Sequence, residues 1–197
     1  MNRSILGLCA AAITVAPVAA WAHTGIGPTQ GIMSGFSHPF SGLDHVLTMT
    51  AVGVFAAQLG GRALWLLPLT FVSVMALAGL AGMAGVALPF VEIGIAISVI
   101  VLGLAIALEL SVPTSVATAL VGLFAIFHGH AHGTEMPESL SGLAYGLGFV
   151  CATAVLHAAG IGLGVAVDKT GRAYSRRLVQ AGGAAMAVVG FALLISI

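Results

Sequence analysis

Apolar positions run along this chain in long blocks. They lack the two-residue alternation of a half-buried strand and the one-sided stripe of a soluble helix. Six such blocks lie at residues 42–59, 63–84, 89–110, 113–127, 140–167 and 178–197. A helix that crosses the hydrocarbon of a bilayer needs ~20 mostly apolar residues, with a range of roughly 17–25. The breaks between blocks are Gly60-Gly61-Arg62, Pro89, Ser111-Val112-Pro113, Met136-Pro137 and Asp168-Lys169-Thr170-Gly171-Arg172. Glycine, proline and charge end helices for known steric and solvation reasons. The pattern predicts an all-α, polytopic membrane protein. It has about six transmembrane helices in one domain spanning 23–197, with loops too short to hold a soluble unit.

A further apolar run, 5–15, has a different character. Arg3 precedes it, Pro17 breaks it, and Ala20-Trp21-Ala22 follows as an A-x-A cleavage signal. This predicts a secretory signal peptide over 1–22, cleaved after Ala22, so that the mature chain begins at His23 on the outer side. Left uncleaved, the segment would add a span without changing the orientation of the other six. That orientation places Arg62, Lys169, Arg172, Arg176 and Arg177 in inner loops and leaves the outer segments without Lys or Arg. This is the positive-inside pattern. It predicts a multi-pass protein of a cell inner membrane with a periplasmic mature N-terminus.

Composition sharpens this reading. Charged residues are 6% of the 197 residues, and AVILMFWYC residues are 59%. Soluble domains carry roughly 25% charged residues, so the exterior here faces lipid. The mean hydropathy of +1.14 agrees. The formal net charge of zero excludes a basic nucleic-acid surface. Two cysteines, Cys9 and Cys151, cannot build a disulfide framework. Glycines crowd the spans, and small-xxx-small spacing lets helix backbones approach closely in lipid. Such faces also admit a homo-oligomer.

Seven histidines stand out against this background. Five fall in two compact motifs at the outer ends of spans. The first is His38-Pro39-Phe40-Ser41-Gly42-Leu43-Asp44-His45. On one helix, His38 and His45 lie seven apart and share a face. Asp44 points about 100° away from His45, where it can ligate from another angle or orient a histidine. The second is Phe127-His128-Gly129-His130-Ala131-His132-Gly133-Thr134-Glu135. His128, His132 and Glu135 follow i, i+4, i+7 on one face, and His130 faces elsewhere unless the glycines unwind the backbone.

Ionisable groups inside a membrane are costly and mark function by default. Imidazole with carboxylate suits a divalent first-row transition metal. The candidate metal ligands are therefore His38, Asp44, His45, Glu92, His128, His132 and Glu135. Glu92 is included because it lies at the same membrane level. His23, His130 and His157 are additional candidates for metal binding or for the path. The near absence of cysteine speaks against a Cu(I) site, and Met33, Met49 and Met136 read as packing residues.

The two motifs, H-P-x-x-G-x-D-H and F-H-G-x-A-H-G-x-E, resemble those of the HupE/UreJ family of nickel and cobalt permeases. The resemblance covers the whole chain. It implies a secondary transporter that takes up Ni²⁺, with Co²⁺ as a related substrate, for metalloenzymes such as hydrogenase or urease. It also implies no prosthetic group. The motif positions it carries over are His38, Asp44, His45, His128, His132 and Glu135, while His130 fills a variable position. The first motif is also similar to the H-x-x-x-x-D-H of a separate nickel/cobalt transporter family, but its spacing is one residue longer. No Walker A pattern is present, so the chain does not itself hydrolyse ATP. The rival reading is an intramembrane zinc-dependent hydrolase built on the same histidines. It lacks an HExxH motif and an obvious general base beyond Asp44, Glu92 or Glu135. A sensing or storage role is a third reading.

Overall fold

The computed structural model of the chain describes residues 28–136, 141–171 and 173–197. The expected signal peptide and His23 lie outside the described residues. Among these residues there is no strand. The chain forms α1 (Pro28–Ser37), a short 3₁₀ turn (His38–Phe40) and α2 (Leu43–Leu59). Then come α3 (Ala63–Met83), α4 (Val91–Ala107), α5 (Thr114–Thr134), α6 (Gly142–Thr170) and α7 (Ala173–Ser196).

Helices α3, α5, α6 and α7 are each long and apolar enough to cross a membrane. The segments Gly31–Phe40 and Leu43–Leu59 meet that test only together, and they are bent by 82° at the break between them. Helix α4 is apolar but has 17 residues, so it is about 25 Å long at 1.5 Å per residue. The six expected spans thus correspond to α2 through α7, four of them spanning by length alone. Helix α1 lies outside the expected spans. Helix α5 continues seven residues beyond its expected end at 127, to Thr134. Apolar side chains such as Leu69, Leu77, Leu123, Val155, Val188 and Ile195 are exposed over the helix exteriors. Met49, Phe55, Leu67, Phe71, Met75 and Leu102 fill the centre. The chain is a multi-pass membrane protein.

Glycine draws the helices together in pairs. A carbon added at Gly129 of α5 would stand 2.1 Å from the Met75 carbonyl oxygen of α3, and one at Gly133 2.1 Å from that of Gly79. Between α2 and α6, Gly53 faces the His157 carbonyl and Gly160 the Thr50 carbonyl, at 2.2 and 2.1 Å from the same hypothetical carbon. Between α4 and α7, Gly103 and Gly183 face each other's backbone at 2.7 Å. In lipid, where apolar burial gives no preference for helix over solvent, close backbone packing supplies much of the association energy.

The bundle has two poles. At one meet the start of α2 and the end of α5, which carry the histidine motifs, and the start of α6. The other, basic pole carries exposed Arg62, Lys169, Arg176 and Arg177. There a cavity of about 770 Å³ is lined by Gln58, Glu109, Asp168 and Arg176 among others. Arg176 donates to both carboxylate oxygens of Glu109. Glu109 ends α4 with φ +48°. Its N–H donates to Ile106 O at 3.2 Å and that of Leu110 to Ala105 O at 3.0 Å, a Schellman closure. Helix α3 ends in the same way on Gly85, with φ +75°. Glycine is the usual occupant; a side chain there costs about 1 kcal/mol. At Glu109 that cost is accepted alongside the pairing with Arg176.

The glycine contacts can be checked by thermal unfolding in detergent. Gly129→Ala and Gly133→Ala, which push a carbon into α3 backbone, should each destabilise by about 1–3 kcal/mol. Gly146→Ala and Gly162→Ala, which meet nothing within 4 Å, should be neutral or stabilising by up to about 1 kcal/mol. Equal shifts at all four positions would contradict the packing described.

Candidate metal site

The second motif stays helical throughout. Its glycines do not unwind the backbone; they are turned to α3, as above. That leaves His128 and His132, one turn apart, facing α2 and α6. Both are buried, at 0% and 4% exposure. His130 faces the other way, as its spacing predicts, and its Nε2–H donates to Val86 O at 2.6 Å. Glu135 is the residue just past the end of α5; its N–H still closes on Ala131 O.

The first motif is not a single helix. His38 opens the 3₁₀ turn, Gly42 is extended (φ −106°, ψ 123°), and His45 lies in the first turn of α2. The seven-residue helical argument that joins His38 to His45 therefore does not apply. The two meet through α5 instead. The His132 ring centroid is 4.8 Å from that of His38 and 4.2 Å from that of His45. The His45 ring is 4.9 Å from His128. Glu135 Oε2 lies 3.3 Å from His38 Nε2 and 3.9 Å from His132 Nδ1. Ligand atoms of His38, His132 and Glu135 fall within 4.8 Å of one another.

Hydrogen bonds fix which nitrogens carry lone pairs. Asp44 Oδ1 accepts from His45 Nδ1–H at 2.8 Å and from the His45 backbone N–H at 2.9 Å. The buried His45 Nε2 is left as a lone-pair donor with no hydrogen bond. The Ser98 hydroxyl donates to Ile95 O at 2.6 Å, so its oxygen accepts from His128 Nε2–H at 2.9 Å. Thr48 Oγ1 sits 3.2 Å away on the same serine. His128 Nδ1 is thereby left as a buried lone-pair donor without a partner, and neither ring nitrogen of His132 has a hydrogen bond. A histidine with one nitrogen held by an acceptor and the other bare is the form in which imidazole binds metal. Asp44 is thus placed to hold the orientation of the His45 ring. Gly42 makes room for it: a carbon there would lie 2.7 Å from Asp44 Oδ1 and 2.8 Å from His45 Nδ1.

Aromatic side chains close the cluster. Phe149 lies 4.0 Å from the His132 ring, centroid to centroid, and Tyr145 5.8 Å from that of His38. Phe71 packs 5.8 Å from His128. Glu92 is not drawn in: it is exposed in the first turn of α4, on the side where the chain enters the helix. Ser98, nearly two turns further along α4, is the residue that reaches His128. His157 is buried but deeper, separated from His128 by the Phe71 ring. Ser98 and Thr48 are the site residues that sequence reasoning missed. The only signal for them is two hydroxyls inside apolar spans.

Replacing Gly42 by alanine should displace the Asp44–His45 pair without disturbing the backbone, whose φ and ψ any residue adopts. Loss of an orienting partner lowers metal affinity by roughly 10–100-fold. Calorimetric titration of Ni²⁺ into the purified Gly42→Ala variant should show a drop of that order, with the unfolding temperature close to wild type. Unchanged affinity would remove Asp44 from its orienting role.

The chain matches the sequence profile of the HupE / UreJ protein family over residues 11–193. It is 46% identical over 180 residues to Protein HupE of Rhizobium leguminosarum bv. viciae, covering 91% of this chain and 92% of that protein. No solved structure matches it. Whole-chain matching of this extent shows that the chain belongs to the HupE/UreJ family.

Proposed function

We propose that this protein is a secondary transporter of the inner membrane that takes up divalent transition-metal ions, Ni²⁺ and also Co²⁺, from the periplasm. The observation that carries the reading is the convergence of buried, lone-pair-bearing imidazoles with two carboxylates at one pole. His38, His132 and Glu135 bring ligand atoms within 4.8 Å of one another. His45 and His128 add bare nitrogens beside them. On this reading the mature N-terminus, after cleavage at Ala22, and the histidine pole face the periplasm. The basic pole, with Arg62, Lys169, Arg176 and Arg177, faces the cytoplasm, in keeping with the positive-inside rule.

An arriving ion sheds water as His38, His45, His132 and Glu135 replace it. Asp44 holds the His45 ring and offsets positive charge. His128, held by Ser98, takes the ion inward past Phe71 toward His157. The 770 Å³ cavity at the basic pole is the exit. The inside-negative potential drives a cation inward by ~2.3 kcal/mol per charge per 100 mV. A zinc hydrolase would need a free carboxylate as general base. Asp44 is tied to His45 and Glu135 to His38, which favours a supporting role for Asp44 and a ligand role for Glu135 over general-base roles.

Radiolabelled ⁶³Ni²⁺ uptake into cells lacking other nickel importers tests this. Wild type should accumulate the label, and His45→Ala and His132→Ala, at matched membrane expression, should reduce uptake to background. No uptake by well-expressed wild type would refute the importer reading. Uptake should also fall as external pH drops through about 6.5 toward 5, the range in which an ordinary imidazole protonates. Protons compete with the metal for the imidazole lone pairs. A flat pH profile would count against histidine ligation.

A further inference from the structure

Deeper in the bundle, past the cluster, α6 presents Thr153 and His157 one turn apart on one face. Thr153 Oγ1 lies 3.4 Å from Sδ of Met49 on α2 and 3.7 Å from Sδ of Met75 on α3. It also lies 3.0 Å from Phe149 O, one turn back on its own helix. A threonine hydroxyl in a helix gives its proton to that carbonyl. The remaining lone pairs of Thr153 then face two thioether sulfurs with no proton between them. Three lone-pair donors from three helices meet at a point where all three residues are at most 2% exposed.

His157 is 1% exposed, and neither of its ring nitrogens has a hydrogen-bond partner. Its ring stands edge-on to Phe71 at 5.2 Å. The other neighbour of Phe71 is His128, at 5.8 Å. Burying polar atoms without partners is unfavourable, and an orphaned group in a core calls for an explanation. A core serving packing alone would not carry a histidine with both ring nitrogens unpartnered.

We propose that Met49, Met75, Thr153 and His157 form a second, weaker cation site along the route through the bundle, which holds a borderline or soft divalent transition-metal ion in transit. This rests on the transporter reading above and adds the site that the ion reaches after the cluster. Met49 then has a role beyond the packing its sequence position suggests. Imidazole suits Ni²⁺ and its first-row neighbours, and thioether sulfur adds a soft donor. They are poor ligands for Mg²⁺ and Ca²⁺, which demand oxygen. The four donors are all neutral, whereas Asp44 and Glu135 supply negative charge at the cluster. Affinity therefore falls along the route. Conduction needs binding strong enough for entry and weak enough for release.

The test uses the full chain purified and reconstituted in proteoliposomes, with ⁶³Ni²⁺ influx driven by an inside-negative potential. Leucine conserves the volume of methionine, so the paired change Met49→Leu with Met75→Leu keeps the packing and removes the sulfurs. It should lower maximal flux about tenfold, the low end for loss of a metal-supporting group. The half-saturating Ni²⁺ concentration and calorimetric Ni²⁺ binding at the cluster should stay at wild-type values. Thr153→Val should behave in the same way, and Thr153→Ser, which keeps the hydroxyl, should retain flux. Wild-type flux in the paired leucine variant overturns the second site and leaves the transporter reading standing. So does a flux loss matched by an equal loss of cluster binding, which marks structural damage. Wild-type protein that neither binds nor carries Ni²⁺ refutes the transporter reading and the second site with it.

Discussion

The contact between the backbones of α3 and α5 governs the histidine pole. Gly129 and Gly133 bring α5 against the carbonyl oxygens of Met75 and Gly79. At that separation the helix cannot rotate or unwind without driving its other face apart. Because α5 stays regular to Thr134, His128 and His132 stand one turn apart on a face about 100° round from the glycines. A motif that alternates glycine with histidine thus does two things with one helical period. The small residues fix distance to one neighbour while the imidazoles point at the others. His130 falls off that face by the same arithmetic and is tied to Val86 O instead.

Once placed, the imidazoles depend on being dry. In a bilayer a polar atom has only protein to satisfy it. Asp44 and Ser98 satisfy one nitrogen each on His45 and His128, which fixes the tautomer and leaves the opposite lone pair bare. Ser98 can do so because its own proton is committed to Ile95 O. The serine's position on α4 and the aspartate's on α2 matter as much as those of the histidines.

Much of this is legible in the chain and some is not. The helical, lipid-facing architecture follows from block hydropathy, and the pairing of His128 with His132 follows from spacing. The placing of His38 and His45 together is expected from helical spacing, but an 82° bend separates the two segments, and both rings meet at His132 of α5 instead. Spacing arguments hold only inside an unbroken helix, and nothing at Ser41-Gly42 announces a bend of that size. Glu92 shows the converse limit. It is exposed in the first turn of α4, and the way α4 is turned depends on tertiary packing such as that of Gly103 on α7, which no local pattern encodes. The glycines divide in the same way. Gly148 and Gly160 touch backbone on neighbouring helices, whereas Gly146 and Gly162 of the same α6 face open space. Sequence spacing treats them alike.

Glycine sealing also distributes stiffness. Helices α3 with α5, α2 with α6, and α4 with α7 each touch backbone to backbone, and the Glu109–Arg176 pair rivets the last couple at its far end. Between these doublets the contacts are made by side chains, which yield more readily than main chain. The candidate ligands are split across such a seam. His45 belongs to the α2–α6 doublet, with His38 on the turn leading into it, while His128, His132 and Glu135 belong to α3–α5. A displacement along that seam leaves each doublet intact and changes the spacing between the two halves of the candidate ligand set, so compliance in this bundle is concentrated where those side chains meet.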